Sequence, residues 1–346
     1  MRASFGVQLP QGWRSDLSHL PASAQYETIS KVALTAENLK FDSIFLYDHL
    51  HAVPVPQRQP CFECWTTMAA LASKTPNIRI GSLVTCNSYR NPALLAKMSS
   101  TLDNISNGRL DFGIGAGWLK EEYTAYGYDF PSAAERIRRL DESLTLIKKM
   151  WTSEKADFSG KYYTCRNASC YPKPIHQPHP PILVGGIGER LLLRVVAKHA
   201  DIWNFQGSPE ELKQKLVVLR EHCNRVGRRF NEIRVSLHAT VVIGSDESEV
   251  KERFGRFLSR ERGEQGALHY YVSEAIRDPS RTVKTMFKRA QGKLGKTVVV
   301  GTPSECLDQL KAYSELGVSH FVVYVSDSSE LSPLKLFANE VVKDFG

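Results

Sequence analysis

Short runs of apolar and β-branched residues recur along this chain between longer amphipathic stretches. The runs are almost continuously apolar instead of alternating, which is typical of strands covered by helices in a parallel sheet. We predict eight strands, near Ser4–Leu9, Ser43–Tyr47, Ile78–Val84, Arg109–Ile114, Ile182–Gly185, Asp201–Asn204, Ile233–Val242 and Ser319–Val325. Strands that alternate with helices in this way favour an α/β fold, a single (β/α)8 TIM-type barrel, over an open doubly wound sheet.

The intervening stretches have the period of helices that are buried on one face. One apolar stripe consists of Leu140, Leu144, Ile147 and Trp151. The pairs Ser208-Pro209 and Thr302-Pro303 are each followed by glutamates, so they supply a hydroxyl cap, a first-turn proline and a capping box. We therefore predict helices that begin at Pro209 and Pro303.

Two stretches exceed what a plain barrel needs, and we treat residues 1–346 as one domain with two insertions. Residues 152–181 contain a polar turn around Gly160 and five prolines, which predicts a hairpin and an extended loop over the barrel mouth. Residues 246–296 are strongly charged with helical character, which predicts an inserted subdomain. Long insertions in a compact fold are more often functional than accidental.

The charge pattern argues against several classes of partner. The formal net charge is +8 and the sequence pI is about 9.0, but the basic residues are scattered among acids. That pattern is typical of solvated helix faces, so we expect no nucleic-acid partner. We also expect no membrane segment, because no apolar stretch approaches the length that crosses a bilayer.

The cysteine pattern indicates reduced thiols. The chain has seven cysteines, an odd number, and no secretory leader, which favours a cytoplasmic protein. Cys61 and Cys64 have C-x-x-C spacing without a second pair, so we expect structural thiols and no metal. A zinc site at Cys165 and Cys170, with two histidines nearby, is the alternative.

The active site of such a barrel is expected at the C-terminal ends of its strands. The second strand runs into Asp48-His49, a carboxylate beside a group that can carry a proton near neutral pH. The alternative is a capped turn with a surface histidine. Three glycines between Gly113 and Gly117 let the chain turn tightly beside something bulky. They do not form a dinucleotide fingerprint, because Trp118 stands at the third glycine position.

The fifth strand ends in Gly185-Gly186-Ile187-Gly188 ahead of a predicted helix. A glycine-rich loop at a helix N-terminus presents backbone N–H groups and the positive end of the helix dipole to an anion. We therefore predict a phosphate-binding loop, with a plain turn between strand and helix as the alternative.

Taken together, these segments resemble the luciferase-like monooxygenase superfamily, and within it the oxidoreductases that use the deazaflavin coenzyme F420. The resemblance rests on residues 89–97, 102–110, 113–118, 126–128 and 180–186, and on Gly301-Thr302-Pro303. It implies a barrel with the ring of the cofactor across its mouth and the cofactor phosphate against the loops after later strands. It also implies a homodimer, since members commonly pair.

The resemblance assigns roles to individual residues by motif position. Asp48 would contact the deazaflavin ring, and His49 would be the catalytic proton donor near the reacting ring carbon. The Ser82-Leu83 position is where the family often has a non-prolyl cis peptide. The remaining implied cofactor contacts are Thr85, Glu121, Gly185, Gly186 and Gly188.

The chain departs from the family's sugar-phosphate dehydrogenases after the glycine run. They have a catalytic glutamate there, whereas this chain has Trp118. That difference puts sugar oxidation in doubt and favours a flatter, less polar substrate. Gln8, at the end of the first strand, and Trp118 are our candidates for the substrate pocket.

Three functions remain open on the sequence alone. The first is F420-dependent hydride transfer to or from a small organic substrate. The second is an FMN-dependent monooxygenase of the same fold, and the third is a flavin-binding protein without catalysis. The Asp48-His49 pair argues against the third.

Overall fold

Each predicted apolar run forms a parallel strand, and the strands close into a barrel of eight in the order β1-β2-β3-β5-β8-β9-β10-β12. The computed structural model describes residues 3–52, 59–262 and 297–345. The barrel strands are β1 Ser4–Gln8, β2 Ser43–Leu46, β3 Arg79–Ser82, β5 Leu110–Gly115, β8 Ile182–Gly185, β9 Ile202–Phe205, β10 Arg234–Ile243 and β12 Val318–Val325. The predicted (β/α)8 barrel is confirmed, with boundaries shifted by one or two residues at most strands.

Two further strands extend the barrel at its C-terminal end, which we call the mouth. Strand β4, Thr85–Cys86, follows a bend after β3 and pairs with the end of β5. Strand β11, Val298–Gly301, was not predicted. It forms because β10 is ten residues long, so that its first half pairs with β9 and its second half is left for β11.

The helices cover the outside of the barrel. They are α1 Ala22–Asn38, α2 Cys64–Lys74, α3 Pro92–Ile105, α4 Lys120–Ala125, α5 Ala133–Thr152, α6 Leu192–His199, α7 Pro209–Arg225, α8 Glu247–Arg262, α9 Pro303–Ser314 and α10 Ser332–Phe337. The predicted starts at Pro209 and Pro303 are confirmed, and both helices have the expected capping box. Within the described residues, no helix combines the length and the apolarity needed to cross a membrane.

Side chains that point into the barrel separate it into an apolar middle and a polar mouth. A Cβ on Gly6 would lie 2.9 Å from the Phe45 ring, which places both residues on the inner face. An apolar layer of Phe45, Leu83, Leu183, Ile202 and Val322 fills the interior below the mouth. Strand alternation then places Gln8, Tyr47, Asn204, His238 and Tyr324 in the layer above. A polar ligand is therefore expected at the mouth and not deeper.

A hairpin stands beside the mouth. Strands β6, Ala156–Ser159, and β7, Thr164–Ala168, pair antiparallel within the stretch predicted to carry a hairpin. The Glu142 carboxylate holds the turn by accepting hydrogen bonds from three consecutive backbone N–H groups, residues 161–163. The Asn87 amide donates to the Tyr163 hydroxyl at 3.2 Å, so the hairpin contacts the segment that follows β4.

Helix α8 is the described part of the charged stretch 246–296, whose residues 263–296 lie outside the described ranges. Its apolar side, including Phe254, forms one cluster with Val242 of β10 and with Val298 and Val300 of β11. Val242 lies on the same strand face as the inward-pointing His238. Helix α8 therefore covers the mouth-side face of these two strands.

The close approach of β3 and β5 generates a stability prediction. A Cβ on Gly113 would lie 1.8 Å from the Ser82 carbonyl oxygen, a backbone atom that cannot move aside alone. We expect Gly113→Ala to lower the free energy of unfolding by about 3 kcal/mol, measured by chemical denaturation.

Gly255→Ala in α8 is the matched control. A Cβ there meets no atom of the described residues within 4 Å, and alanine favours a helix over glycine by about 1 kcal/mol. Equal stability of the two variants would contradict the geometry of the β3–β5 contact.

Candidate active site

Asp48-His49 and the glycine loop lie on the same rim of the barrel, because parallel strands β2 and β8 end at the same side. A continuous segment, residues 83–86, joins them, and we call it the wall. The Cys86 N–H donates to the Asp48 carboxylate at 2.8 Å, and Val84 lies 3.1 Å from the position that a Cβ on Gly185 would take. Residues 83–86 thus connect the two predicted segments.

The non-prolyl cis peptide lies between Leu83 and Val84, one bond later than the expected Ser82-Leu83 position. Ser82 and Thr85 flank it, and both side chains are buried. Their hydroxyl oxygens are 2.7 Å apart, and the Ser82 hydroxyl donates to the Gly113 carbonyl at 2.8 Å. The structure therefore places Ser82 and Thr85 where they support the wall from beneath.

Two of the glycines make room for Val84. A Cβ on Gly115 would lie 2.7 Å from one Val84 methyl group, and a Cβ on Gly185 would lie 3.1 Å from the other. The sequence predicts something bulky beside the glycines between Gly113 and Gly117. The neighbour is Val84 at Gly115 and the Tyr123 hydroxyl at Gly117. We call Val84, Gly115 and Gly185 the glycine floor, since the two glycines let the Val84 side chain pack directly against the backbone of β5 and β8.

The His49 imidazole is held by a buried carboxylate that the sequence analysis missed. Its Nδ1 lies 2.9 Å from the Glu122 carboxylate, which also accepts hydrogen bonds from the Leu50 N–H and the Tyr89 hydroxyl. Burial alone would raise the pKa of Glu122, but these hydrogen bonds and the charge of His49 lower it below its ordinary value. An ionised Glu122 fixes the tautomer with the proton on Nδ1 and directs Nε2 away from itself.

Aromatic side chains complete the His49 environment. The Trp13 ring stacks on the imidazole with a centroid distance of 4.2 Å and an interplanar angle of 5°. Trp118 contacts it edge-on at 5.9 Å and is itself 61% exposed. The His49 side chain is 12% exposed, so this oriented imidazole reaches the mouth between the predicted pocket residue Trp118 and the unpredicted Trp13.

Asp48 is engaged by the scaffold. Its two carboxylate oxygens accept hydrogen bonds from Arg90 at 2.7 and 2.9 Å, and Arg90 also pairs with Glu63 at 2.7 Å. Burial by itself would lower the pKa of Arg90, but the two carboxylates raise it above its ordinary value. In this arrangement Asp48 fixes the wall through Arg90 and the Cys86 amide, and its predicted contact with a cofactor ring stays a prediction.

Helix α4 places two adjacent glutamates differently. Glu121, the predicted cofactor contact, is exposed, whereas Glu122 is fully buried and holds His49. A helix of six residues is too short for its apolar period to decide which glutamate faces inward. The cofactor contact expected of Glu121 stays a prediction, and the carboxylate that holds His49 belongs to its neighbour.

The glycine loop, residues 185–191, leads into α6. Gly186 has a φ of +132°, and its carbonyl accepts a hydrogen bond from the Trp203 indole at 2.8 Å. Within the ranges that the structure describes, we find no acceptor for the backbone N–H groups of Gly188, Glu189 and Arg190. The Glu189 carboxylate pairs with Lys215 at 2.7 Å. The loop therefore keeps the N–H groups that an anion would need.

The opposite side of the mouth is polar. The Tyr47 hydroxyl lies 3.3 Å from His238 Nε2 and accepts a hydrogen bond from Arg14 at 3.1 Å. The Arg14 guanidinium lies 4.5 Å from the centre of the Tyr324 ring. Gln8, in the same layer, is fully buried, and neither atom of its amide has a hydrogen-bond partner among the described residues. We call this side, from β1, β2, β10 and β12, the polar half.

The C-x-x-C pair belongs to the scaffold. The Cys61 thiol lies 3.5 Å from the His49 carbonyl, and Cys64 begins α2. Burial raises the pKa of Cys61 to about 12 and that of Cys64 well above its ordinary value. A thiol with a raised pKa is a weaker nucleophile, and the expectation that these thiols are structural stays a prediction.

Comparison with known proteins decides the family. A family model described as luciferase-like monooxygenase matches residues 4–320. The chain belongs to the luciferase-like monooxygenase family. This confirms the resemblance inferred from the motifs.

The proteins that this chain is similar to are named for different activities. An F420-dependent glucose-6-phosphate dehydrogenase from Microbacterium testaceum is 27% identical, over 89% of this chain and 90% of its own. Monooxygenase RslO1 from Streptomyces bottropensis has a TM-score of 0.77 at 21% identity, covering 99% of this chain and 100% of its own. A structure of an F420-dependent secondary alcohol dehydrogenase with an F420-acetone adduct has a TM-score of 0.76 at 20% identity, and each chain is covered completely.

The two glutamates of α4 provide a matched test of the His49 network. We expect Glu122→Gln to lower the free energy of unfolding at pH 7 by about 2 kcal/mol, because charge-assisted hydrogen bonds to a buried carboxylate are lost. Glu121→Gln, on the exposed side, should stay within about 0.5 kcal/mol of the wild type. Chemical denaturation of the three proteins measures both differences.

The pH dependence of that difference follows from the lowered pKa of Glu122. A carboxylate with a depressed pKa in the folded state stabilises the fold above its unfolded pKa, and this stabilisation is lost as pH falls through the folded value. The gap between wild type and Glu122→Gln should therefore narrow below about pH 4. A gap that is constant from pH 7 to pH 3 would contradict an ionised Glu122.

Proposed function

We propose that this protein is an oxidoreductase that transfers a hydride between coenzyme F420 and a small organic substrate at the barrel mouth. The observation that supports it best is the oriented imidazole of His49 on the same rim as the glycine floor and the glycine loop. A flat ring, a phosphate and a proton carrier each have a place there.

The chain's residues fit such a cofactor. In this proposal the cofactor ring would lie against Leu83 and the glycine floor, which Ser82 and Thr85 support. The N–H groups around Gly188 and the N-terminus of α6 would donate hydrogen bonds to its phosphate. When bound, a deazaflavin supplies a ring carbon that gives or takes a hydride, and the protein contributes orientation and electrostatics.

His49 would move the proton that accompanies the hydride. With Nδ1 bonded to Glu122, Nε2 can donate a proton to a substrate oxygen or accept one from it. Trp13 and Trp118 hold the ring so that Nε2 faces the mouth, and Glu122 stabilises the imidazolium when it forms. Asp48 serves this step indirectly, by fixing the wall on which the cofactor ring would lie.

The substrate is proposed to differ from that of the dehydrogenases named for glucose 6-phosphate. Trp118 stands where those sugar-phosphate dehydrogenases have a glutamate, and it brings an exposed indole to the rim beside His49. We therefore favour a flatter and less polar compound than a hexose phosphate. Gln8 and Trp118 are the residues that we assign to its pocket.

A second candidate is an FMN-dependent monooxygenase. The glycine floor and the glycine loop suit FMN as well as F420, and three similar structures are named as monooxygenases. A flavin-binding protein without catalysis is less favoured, because the His49–Glu122 pair has the orientation of a working acid–base group. We further propose a cytoplasmic homodimer whose residues 1–346 form one domain.

Cofactor titration separates these candidates. We expect the purified protein to bind F420 more tightly than FMN, followed by the fluorescence of each chromophore. We also expect Gly188→Asp to weaken F420 binding by about tenfold, because the added carboxylate would repel the phosphate. The deazaflavin core without its phosphate should bind wild type and variant equally.

Gly188→Ala is the matched control, since a Cβ at Gly188 makes an ordinary contact with Leu192 at 3.5 Å and adds no charge. Tight FMN binding with weak F420 binding would replace the first candidate by the second. Equal losses for the chromophores with and without phosphate would remove the phosphate role from the glycine loop.

His49→Ala tests the proton carrier. We expect turnover to slow by about 100-fold, the effect of losing a general acid, while F420 binding stays within a few-fold of the wild type. Turnover is followed by F420 absorbance with the best substrate from a screen of alcohols and ketones. His19→Ala, at an exposed histidine, controls for the substitution itself. Unchanged turnover in His49→Ala would remove His49 from catalysis.

A further inference from the structure

We propose that the segment between β1 and α1, residues 8–16, recognises the substrate through a neutral oxygen atom. In this proposal the Gln8 amide and the Trp13 indole N–H bind the carbonyl or hydroxyl oxygen of a planar, uncharged organic compound. The inference rests on the proposed function, because it places this oxygen beside His49. It adds the substrate class and two residues that select it.

Gln8 provides the first observation. It is the last residue of β1, points into the barrel, and is 0% exposed. Neither its amide oxygen nor its amide nitrogen has a hydrogen-bond partner among the described residues. Buried amides in folded proteins are nearly always paired, so an unpaired amide at the mouth of a barrel indicates a group reserved for a ligand.

Trp13 provides an independent second observation. Its indole N–H is also buried without a partner in the described part of the chain. The ring is fixed on two sides, against His49 at 4.2 Å and against Tyr47 at 4.3 Å. The indole donor is therefore held at a defined place beside the imidazole. Gln8 pairs with Phe45 on β2, and Tyr47, which contacts Trp13, is the residue after that strand, so Gln8 and Trp13 lie on the same side of the mouth.

The segment is rigidly built. The Gln11 amide donates to the carbonyls of Tyr47 and Phe62 and accepts from the Tyr47 N–H, as a neighbouring strand would. The Gly12 N–H donates to the Asp16 carboxylate at 2.6 Å, and Gly12 has a φ of +94° that favours glycine. Both ends of the Gln11 amide, the Gly12 N–H and the Asp16 carboxylate thus fix the conformation of the segment. The polar groups of Gln8 and Trp13 make no such hydrogen bond among the described residues.

The charges at this side favour a neutral oxygen over a phosphate. Burial raises the pKa of Asp16, and the nearby Arg14 opposes that effect, so this guanidinium already faces a carboxylate. Arg90, the cation behind Asp48, pairs with two carboxylates. A phosphate at these cations would have to displace an internal partner, whereas an uncharged oxygen needs a donor of the kind that Gln8 and Trp13 offer.

The body of the substrate is inferred from the aromatic rim. Trp118 is 61% exposed and lies edge-on to His49, and Trp13 stacks on the same imidazole. An exposed indole at the edge of a site is a surface for a planar, apolar group to cover. Aromatic or conjugated ketones and the corresponding alcohols meet both requirements.

The test uses Gln8→Met, which keeps the shape of the side chain and removes its amide. If the amide is reserved for a ligand, the free protein should become more stable, with Tm rising by roughly 2 °C. Gln11→Met is the matched control, and its Tm should fall because its amide bonds are made within the protein. A fall in Tm for Gln8→Met would overturn the proposal, since it would mean that the fold itself uses this amide.

Ligand binding provides the second readout. In the F420-loaded protein, acetophenone should bind about tenfold more weakly to Gln8→Met and to Trp13→Phe than to the wild type, which is about 1.4 kcal/mol for each donor. Ethylbenzene, which has the same body without the oxygen, should bind all three proteins equally. Binding is measured by calorimetry, so the readout does not depend on turnover.

Two results would overturn this inference while F420 binding stands. One is equal acetophenone affinity in the wild type and both variants, and the other is tighter binding of glucose 6-phosphate than of acetophenone. Failure of F420 to bind the wild type would instead contradict the proposed function. The Tm comparison of Gln8→Met with Gln11→Met needs no cofactor and would still decide the role of Gln8.

Discussion

The candidate site depends on the buried carboxylate of Glu122. A charge removed from water must be compensated, and here the compensation comes from three groups: His49, the Leu50 N–H and the Tyr89 hydroxyl. His49 and Leu50 follow the end of β2, and Tyr89 follows β4. The carboxylate therefore fixes the geometry of the rim while it orients the imidazole, so that stability and function draw on the same hydrogen bonds.

The two sides of the mouth are built on opposite principles. On the side of β3, β5 and β8, glycines allow backbone atoms and the Val84 side chain to approach one another closely. On the side of β1, β2, β10 and β12, long polar side chains such as Tyr47 and His238 reach toward the axis. A ligand with a planar ring and a small polar partner matches this division better than one large uniform molecule would. The apolar layer beneath keeps both at the rim.

The sequence predicted the scaffold well because the scaffold is set by local patterns. Eight apolar runs and two capping boxes are local signals, and both were confirmed. Strand β11 was not predicted because it depends on the unusual length of β10. The role of Glu122 was not predicted because a helix of six residues has too few turns for its apolar period to show which side is buried. Trp13 lies in a loop, where no periodicity applies, and its contact with His49 joins segments that are distant in sequence.

The groups that the fold leaves unsatisfied are the ones that sequence patterns describe least. A helix cap is recognised because its hydrogen bonds are made within a few residues, and an apolar stripe is recognised because it repeats within a few turns. The Gln8 amide and the Trp13 indole N–H are notable because they are buried and nothing in the described chain satisfies them. An unpaired buried polar group costs about 1–3 kcal/mol, so a fold that keeps several at one mouth is less stable than it could be. Such a cost is retained where a ligand recovers it, which is why the unsatisfied groups, more than the well-packed ones, indicate what the mouth binds.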